Sequence, residues 1–448
     1  MNAEVISRPD REGDRASFVR ASSGVAASAM ARLFQGAAWN TLAGVAAQGS
    51  SFLSCVVVAR ILGRDGFGKF TLVQSTVLAL TSLASLGLGI TATKYVSQFR
   101  TTDPERAART LGLSSLVALA ASVCFSLAVV VFAPELAASA GRSGDLVPDL
   151  RLSALYVCFI TLNGYQAGAL AGLESFHWIA RISVIYGILS LPLTWALTCW
   201  MGLRGAVLAQ GANALLLWLL YQHALSREGC RHDVTVRYRG AWRERSALVR
   251  FSVPATASGI IGSAAIWWCN MTLVRISGYP ELAIFAAVSN IRLMILFVPT
   301  LITRVASPVL NSLLAAGDGA GYHRTFWRTV ALNGAIALSL AAVFTLAGEW
   351  ILRLFGKAFV APRLLIGLLL CSVVIEVVAC NLYQAIFTDG SLWWQVAVII
   401  VWTGALIVSS RLAIPRWGSS GLALSYAIAW SCSAISYGTL ALFRKGRT

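Results

Sequence analysis

A series of apolar runs, each long enough to cross a lipid bilayer, constrains this sequence most strongly. A membrane-spanning helix needs about 20 mostly apolar residues, and runs such as 111–132 and 392–408 meet this requirement. Of the 448 residues, 57% are hydrophobic and 12% are charged, whereas a soluble protein carries roughly a quarter charged residues. Because so much apolar surface must avoid water, the sequence predicts an all-α integral membrane protein.

Twelve spans account best for the pattern, although eleven or thirteen are also compatible with it. The fifth and sixth nearly touch, so a short turn around Gly202 joins them. We predict spans at 34–58, 70–92, 110–133, 152–171, 179–200, 203–222, 251–274, 282–303, 329–347, 364–387, 392–410 and 418–443.

The basic residues predict how these spans are oriented. With a cytoplasmic N-terminus, 23 of the 36 Lys and Arg residues fall on the cytoplasmic side and 12 outside, while Arg292 lies within a span. Cytoplasmic loops are enriched in such residues, so both termini are predicted to face the cytoplasm. Topology thus explains the net charge of +17, and no basic domain suited to nucleic acid is present.

The same pattern divides the chain into five segments. The central linker carries seven arginines and is either a solvated connection or a segment lying on the anionic inner leaflet. The nine cysteines form no CxxC pair and no zinc-ligand spacing, so no metal or cofactor is predicted. The segments are a cytoplasmic tail at 1–33, a six-helix lobe at 34–222, the linker at 223–250, a second six-helix lobe at 251–443 and a tail at 444–448.

Three local matches, at offsets of 215 to 218 residues, indicate an internal repeat. An offset of six spans keeps the orientation in the membrane, so the halves are predicted to be two parallel six-helix bundles. The alternative is that short glycine-punctuated apolar segments look alike by chance. The matches pair Arg60 with Arg275, Asn163–Ala167 with Asn381–Ala385, and Gly202–Gly205 with Gly418–Gly421.

The segment Ala59–Arg100 resembles the opening of polysaccharide biosynthesis proteins, the Wzx-type oligosaccharide flippases of the multidrug/oligosaccharidyl-lipid/polysaccharide (MOP) exporter superfamily. The similar motifs are ARILGRDGFGKF from Ala59, Gly87–Leu88, KYVS from Lys94, GLRGAVLA from Gly202 and GSSGLALSYAIA from Gly418. The family often has an acidic residue in the seventh span, where this chain has Asn270.

The resemblance implies a MATE-like, two-lobed transporter without enzyme activity. Its substrate would be a polyprenyl-pyrophosphate-linked oligosaccharide, which it would move to the periplasmic leaflet for O-antigen, capsule or exopolysaccharide synthesis. Expected partners are this lipid-linked oligosaccharide, the membrane lipids, and the polymerase and export proteins of the same pathway. Two alternatives are a MATE-like small-molecule exporter and a membrane polysaccharide polymerase or lipid-linked glycosyltransferase.

Ionisable residues within spans are costly and mark functional sites or buried pairs. Arg292, with Asn290 nearby, is predicted either to bind the pyrophosphate through its guanidinium group or to pair with Glu376. Glu376 could equally couple transport to protons. Arg60, Arg250, Arg275 and Arg304 lie near span ends, where we expect them to snorkel to the interface.

Two matching polar segments complete the predicted binding site. Asn163 and Gln166 are three residues apart, as are Asn381 and Gln384, so each pair shares one helix face. These amides, with Tyr165 and Tyr383, are predicted to face the central axis and contact sugar hydroxyls or rings. The alternative is that they form hydrogen bonds between helices within a bundle.

Overall fold

The structure is a computed structural model that describes the backbone of residues 11–85, 87–139, 144–231, 234, 236–387 and 392–445. Side chains are described from residue 41 onward, apart from 243–255, 384–392, 441–445 and a few single positions. Within these ranges the chain is helical and contains no β-strand, which confirms the predicted all-α class. The ends of the two predicted tails, 1–10 and 446–448, lie outside the described residues.

The described residues form ten α-helices and two short 3-10 helices, at Gly144–Leu146 and Ala241–Glu244. The α-helices are α1 (Arg11–Ala84), α2 (Leu88–Phe99), α3 (Pro104–Ser139), α4 (Val147–Gly172), α5 (Phe176–Arg231), α6 (Arg245–Ser277), α7 (Tyr279–Ala315), α8 (Gly319–Phe355), α9 (Arg363–Phe387) and α10 (Leu392–Lys445).

Three of these helices are too long to cross a bilayer once. At about 1.5 Å per residue, the 74 residues of α1 would extend for roughly 110 Å, several times the hydrocarbon thickness. Each of the three contains one glycine with a positive φ: Gly63 (67°) in α1, Gly202 (60°) in α5 and Gly418 (53°) in α10. Glycine adopts this conformation without the steric cost of a Cβ, so each long helix is two spans joined at a glycine turn.

The helices of the structure account for the predicted number of spans. Eight helices are long and apolar enough to cross a membrane within the described residues, and the three glycine turns raise eight spans to eleven. The twelfth is α4, whose hydropathy is lowered by Asn163 and Gln166 but whose 26 residues cover about 39 Å. About twelve spans are therefore present.

The predicted second span, 70–92, is interrupted. Helix α1 ends at Ala84, Gly87 adopts a left-handed φ of 62°, and α2 begins at Leu88. The break lets α2 press against α4, where a Cβ on Gly168 would lie 2.1 Å from the carbonyl oxygen of Gly89. Hydropathy alone misses this break because the apolar run is continuous through it.

The helices assemble into two bundles, as predicted. In the N-terminal lobe α5 packs against α1 and α4, and α4 also packs against α2 and α3. In the C-terminal lobe α10 packs against α6 and α9, while α8 joins α7 to α9. The principal contacts between the lobes are those of α1 with α6 and α7.

The central linker is anchored to the N-terminal lobe. The Arg237 backbone N–H donates to the Ala108 carbonyl oxygen at 3.1 Å, and the Arg237 guanidinium lies 3.1 Å from the Glu105 carboxylate. Gly112 permits this approach, since a Cβ there would lie 2.1 Å from the Arg237 carbonyl oxygen. The described part of the linker is therefore held against α3.

Candidate functional site

The glycine turns define one side of the membrane, which we call the glycine-turn side. It carries Gly63, Gly202 and Gly418 together with Gly278, whose φ is 87° between α6 and α7. The opposite side, which carries the tail segments, is called the tail side. In the predicted orientation the glycine-turn side is periplasmic.

Polar contacts join the two lobes on the glycine-turn side. Arg64 of α1 lies 3.4 Å from the Glu281 carboxylate of α7 and also donates to the Pro280 carbonyl oxygen at 3.3 Å. The Ser419 hydroxyl, at the turn of α10, donates to the same carboxylate at 2.5 Å. Glu281 thus binds both the start of the last span and the opposite lobe.

Apolar contacts on the glycine-turn side are equally tight. The ring of Phe67 in α1 lies within 6.3 Å, centroid to centroid, of the rings of Phe355 and Phe359 in the C-terminal lobe. A Cβ on Gly68 would lie 2.1 Å from the Tyr279 carbonyl oxygen, so only glycine fits there. The lobes are in van der Waals contact at this end.

Hydrophobic cores are distributed differently on the two sides. One core on the glycine-turn side is continuous across both lobes, from Phe52 and Phe67 to Phe355 and Leu422. On the tail side each lobe has its own core, built around residues such as Leu170 in the first lobe and Phe326 in the second. The lobes therefore close against each other at one end and pack separately at the other.

Arg292 and Glu376 form an ion pair inside the C-terminal lobe. The Arg292 Nη2 atom of α7 lies 2.5 Å from Glu376 Oε2 of α9, and the two side chains are only 14% and 10% exposed. The guanidinium carbon also lies 5.5 Å from the ring centroid of Tyr426 in α10. The pair joins three helices and is neutral as a unit, which lowers the cost of burying each charge.

Asn290 points in a different direction from Arg292. Two residues along a helix correspond to a rotation of about 200°, and Asn290 Nδ2 accordingly lies 3.2 Å from Cys55 Sγ of α1. It also donates to the Ala286 carbonyl oxygen at 2.9 Å. Of the two, Asn290 is the one turned toward the N-terminal lobe.

The polar segment of α4 is turned into its own lobe. Asn163 Nδ2 donates to the Ala214 carbonyl oxygen of α5 at 3.0 Å, and Gln166 Nε2 donates to Gln222 Oε1 at 2.7 Å. Tyr165 is buried among the apolar residues of the tail-side core. These contacts hold α4 to α5.

The matching segment of α9 lies in a polar cluster within the C-terminal lobe. Asn381 Oδ1 accepts from Asn333 Nδ2 of α8 at 3.0 Å, and the same Asn333 group donates to Thr303 Oγ1 of α7 at 3.0 Å. The Tyr383 hydroxyl donates to Gln395 of α10 at 2.9 Å. The Gln384 side chain lies outside the described residues.

Sequence reasoning missed several of these partners. Asn333 is the one amide in the apolar run VALNGAIAL, residues 330–338, and could have been singled out as a buried polar residue. Arg64 and Glu281 adjoin the first repeat match, but only the folded chain brings them together. Tyr426 gave no sequence signal that separates it from other aromatic packing residues.

A cavity of about 330 Å³ lies at the boundary between α1, α3 and α6. It is lined by Leu80, Ala128, Phe132, Leu136 and Trp267, with Glu135 as the polar exception. None of the predicted binding residues lines it. Its chemistry suits an acyl chain better than a sugar or a phosphate.

Comparison with solved structures places the fold. An inward-facing multidrug resistance MATE transporter of the MOP superfamily superposes with a TM-score of 0.75 at 16% identity, covering 90% of this chain and 94% of that one. A MOP superfamily transporter from Pyrococcus furiosus, described as having a binding pocket of reversed polarity, gives 0.72 at 15% identity, with coverages of 92% and 95%. The chain, with its two lobes joined at one end, therefore has the fold of these MOP superfamily transporters.

Sequence comparison gives the family within that class. The EPS I polysaccharide export inner membrane protein EpsE of Ralstonia nicotianae is 23% identical over 409 residues, covering 89% of this chain and 91% of that protein. Stage V sporulation protein B of Bacillus subtilis is 20% identical over 294 residues, or 61% and 56% of the two chains. The profile of the family described as "Polysaccharide biosynthesis protein" matches residues 33–314. The chain belongs to this polysaccharide biosynthesis protein family.

Proposed function

We propose that this protein is a flippase that moves a polyprenyl-pyrophosphate-linked oligosaccharide from the cytoplasmic to the periplasmic leaflet of a bacterial inner membrane. The observation that carries the proposal is the arrangement of the cores: the lobes share one core on the glycine-turn side, whereas each lobe has its own core on the tail side. With the termini in the cytoplasm, this is a transporter that receives its substrate from the side where the sugar is assembled.

The relatives support polysaccharide export over multidrug export. The fold itself is shared with MATE transporters at about 15% identity and does not distinguish the two substrate classes. The relatives aligned over about nine-tenths of both chains are polysaccharide export proteins. We therefore place the chain among the exporters of this pathway rather than among its polymerases or glycosyltransferases.

The membrane potential can drive such a step. Each elementary charge moved through 100 mV gains about 2.3 kcal/mol. A pyrophosphate-linked head group that leaves an inside-negative cell moves down this potential. The proposed transport therefore does not depend on an ion-coupling carboxylate in the path.

The experiment that tests the proposal analyses lipid-linked repeat units in a strain that lacks the gene. We expect them to accumulate on the inner leaflet and surface polysaccharide to be lost, with both restored by the wild-type gene. Direct contact of the substrate with Arg292 stays a prediction. It is tested by asking whether the double variant Arg292→Gln, Glu376→Gln restores export in the deletion strain, and failure to restore it would support the contact. Normal export in the deletion strain would refute the proposed function.

A further inference from the structure

One face of α7 is turned toward the N-terminal lobe along much of its length. Asn290 contacts Cys55 of α1. A Cβ placed on Gly44 of α1 would lie only 2.7 Å from the Cε2 atom of Phe297, so the Phe297 ring packs closely against α1 at this point. At about 100° per residue, positions 290, 297 and 304 lie within roughly 40° of one another. Arg304 therefore lies on this face, about two turns beyond Phe297 toward the tail side.

The rotation of α7 at Arg304 is fixed by its neighbour. The Thr303 hydroxyl lies in the polar cluster with Asn333 and Asn381, which holds that side of α7 inside the C-terminal lobe. Arg304 is turned away from the cluster and is exposed. It lies beyond Phe297 on the side where the lobes have separate cores.

The depth of Arg304 suits a lipid head group. It lies 25 residues after Tyr279, or about 38 Å from the glycine-turn end of α7. A hydrocarbon core of about 30 Å flanked by head-group regions reaches this level on the tail side. A phosphate of the cytoplasmic leaflet would thus stand level with this side chain.

Positive charge on the tail side is unevenly neutralised. In the N-terminal lobe Arg100 pairs with Glu174 at 2.7 Å, and Glu105 lies within 3.4 Å of both Arg109 and Arg237. Among the described residues of the C-terminal lobe, Arg304 has no carboxylate within 4.0 Å. Arg304 is therefore a tail-side arginine whose charge no carboxylate of these residues neutralises.

From these observations we infer that Arg304 is a binding residue for the phosphate groups of the substrate as they enter between the lobes from the tail side. This inference rests on the proposed function. It revises the sequence expectation for Arg304, since snorkelling places an arginine at the interface without giving it a ligand. Guanidinium binds phosphate oxygens through two parallel hydrogen bonds, which suits a pyrophosphate better than a sugar.

The test measures binding of farnesyl pyrophosphate and of farnesol to the purified full-length protein in phosphatidylcholine nanodiscs. We expect Arg304→Gln to weaken farnesyl pyrophosphate binding by about tenfold while leaving farnesol binding unchanged. Arg304→Lys should retain part of the affinity, because its charge remains but the paired hydrogen bonds do not.

The matched control is Arg328→Gln. Arg328 is also exposed and lies within about 6 Å of the same depth, but it points away from the face of α8 that bears Asn333. We expect this variant to bind farnesyl pyrophosphate as the wild type does. Equal losses in both variants would mean a general charge effect and would overturn the inference.

Further experiments distinguish substrate phosphate from membrane phosphate, and failure of this inference from failure of the proposed function. If adding phosphatidylglycerol to the nanodiscs removes the Arg304-dependent affinity, the residue binds membrane phosphates in general and the inference is wrong. An Arg304→Gln variant with unchanged affinity for farnesyl pyrophosphate would also overturn the inference. The proposed function would still stand if the wild-type protein binds farnesyl pyrophosphate and restores export. A wild type that neither binds farnesyl pyrophosphate nor restores export would remove both.

Discussion

At the scale of single residues, the buried Arg292–Glu376 pair is the most informative feature. Removing one partner leaves a buried charge without compensation, which costs about 3–5 kcal/mol in other proteins. We expect Arg292→Gln and Glu376→Gln each to lower the thermal midpoint in detergent, and the double variant to recover most of the loss. If each single variant is as stable as the wild type, the pair is not what holds α7 to α9.

A second residue-scale prediction concerns Asp149, which precedes the predicted span 152–171. Burial raises the pKa of this carboxyl, although Arg204 and Lys69 lower it in part, and its Oδ1 has no partner among the described residues. A raised pKa means that the charged form is disfavoured in the folded state, so its contribution to stability falls as the pH rises through that pKa. We expect Asp149→Asn to raise the thermal midpoint at pH 7.5, by an amount equivalent to about 1 kcal/mol. The gain should shrink toward pH 5, and a lower midpoint at pH 7.5 would contradict this.

At the scale of elements, the contact between the turn of α1 and the start of α7 holds the glycine-turn side closed. Arg64 and Glu281 are about one-third exposed, so their bridge is worth less than about 1 kcal/mol. We expect Glu281→Gln to speed amide hydrogen exchange at residues 275–285 and 60–69 by about threefold. The matched control is Arg363→Gln, because Arg363 pairs at 3.0 Å with Glu349 of its own lobe and should leave exchange at both turns unchanged.

Gly68 of α1 also allows the lobes to meet on the glycine-turn side. Because a Cβ on Gly68 would lie 2.1 Å from the Tyr279 carbonyl oxygen, Gly68→Ala must push the lobes apart at this end. We expect a loss of stability of about 1–3 kcal/mol. Gly49→Ala, also in α1 but with no atom within 4 Å of the new Cβ, is the control and should be neutral or slightly stabilising.

The elements also show what the sequence can and cannot predict. Apolar run lengths gave about twelve spans, and the repeat pointed to the turns at Gly202 and Gly418, since glycines recur where the chain must reverse. The break at Gly87 was missed because hydropathy does not register backbone conformation. The sequence could not decide between the two directions left open for Asn163 and Asn381, because the rotation of a helix about its axis depends on neighbours distant in the sequence.

At the scale of the whole molecule, the two lobes meet at one end and carry separate cores at the other. The end with separate cores faces the cytoplasm only if the termini are cytoplasmic. We expect alkaline phosphatase fused after Gly356 to be active and a fusion after Arg231 to be inactive. The reverse activities would invert the proposed direction of transport while leaving the fold unchanged.

The most direct measurement is transport by the purified protein in liposomes that contain a fluorescent polyprenyl-pyrophosphate-linked sugar. A membrane-impermeant quencher reports how much labelled lipid reaches the outer leaflet. We predict that the wild-type protein increases the quenched fraction above that of protein-free liposomes, and that Arg304→Gln slows the increase. A wild-type protein that is folded, correctly inserted and no faster than empty liposomes would contradict the assignment as a flippase.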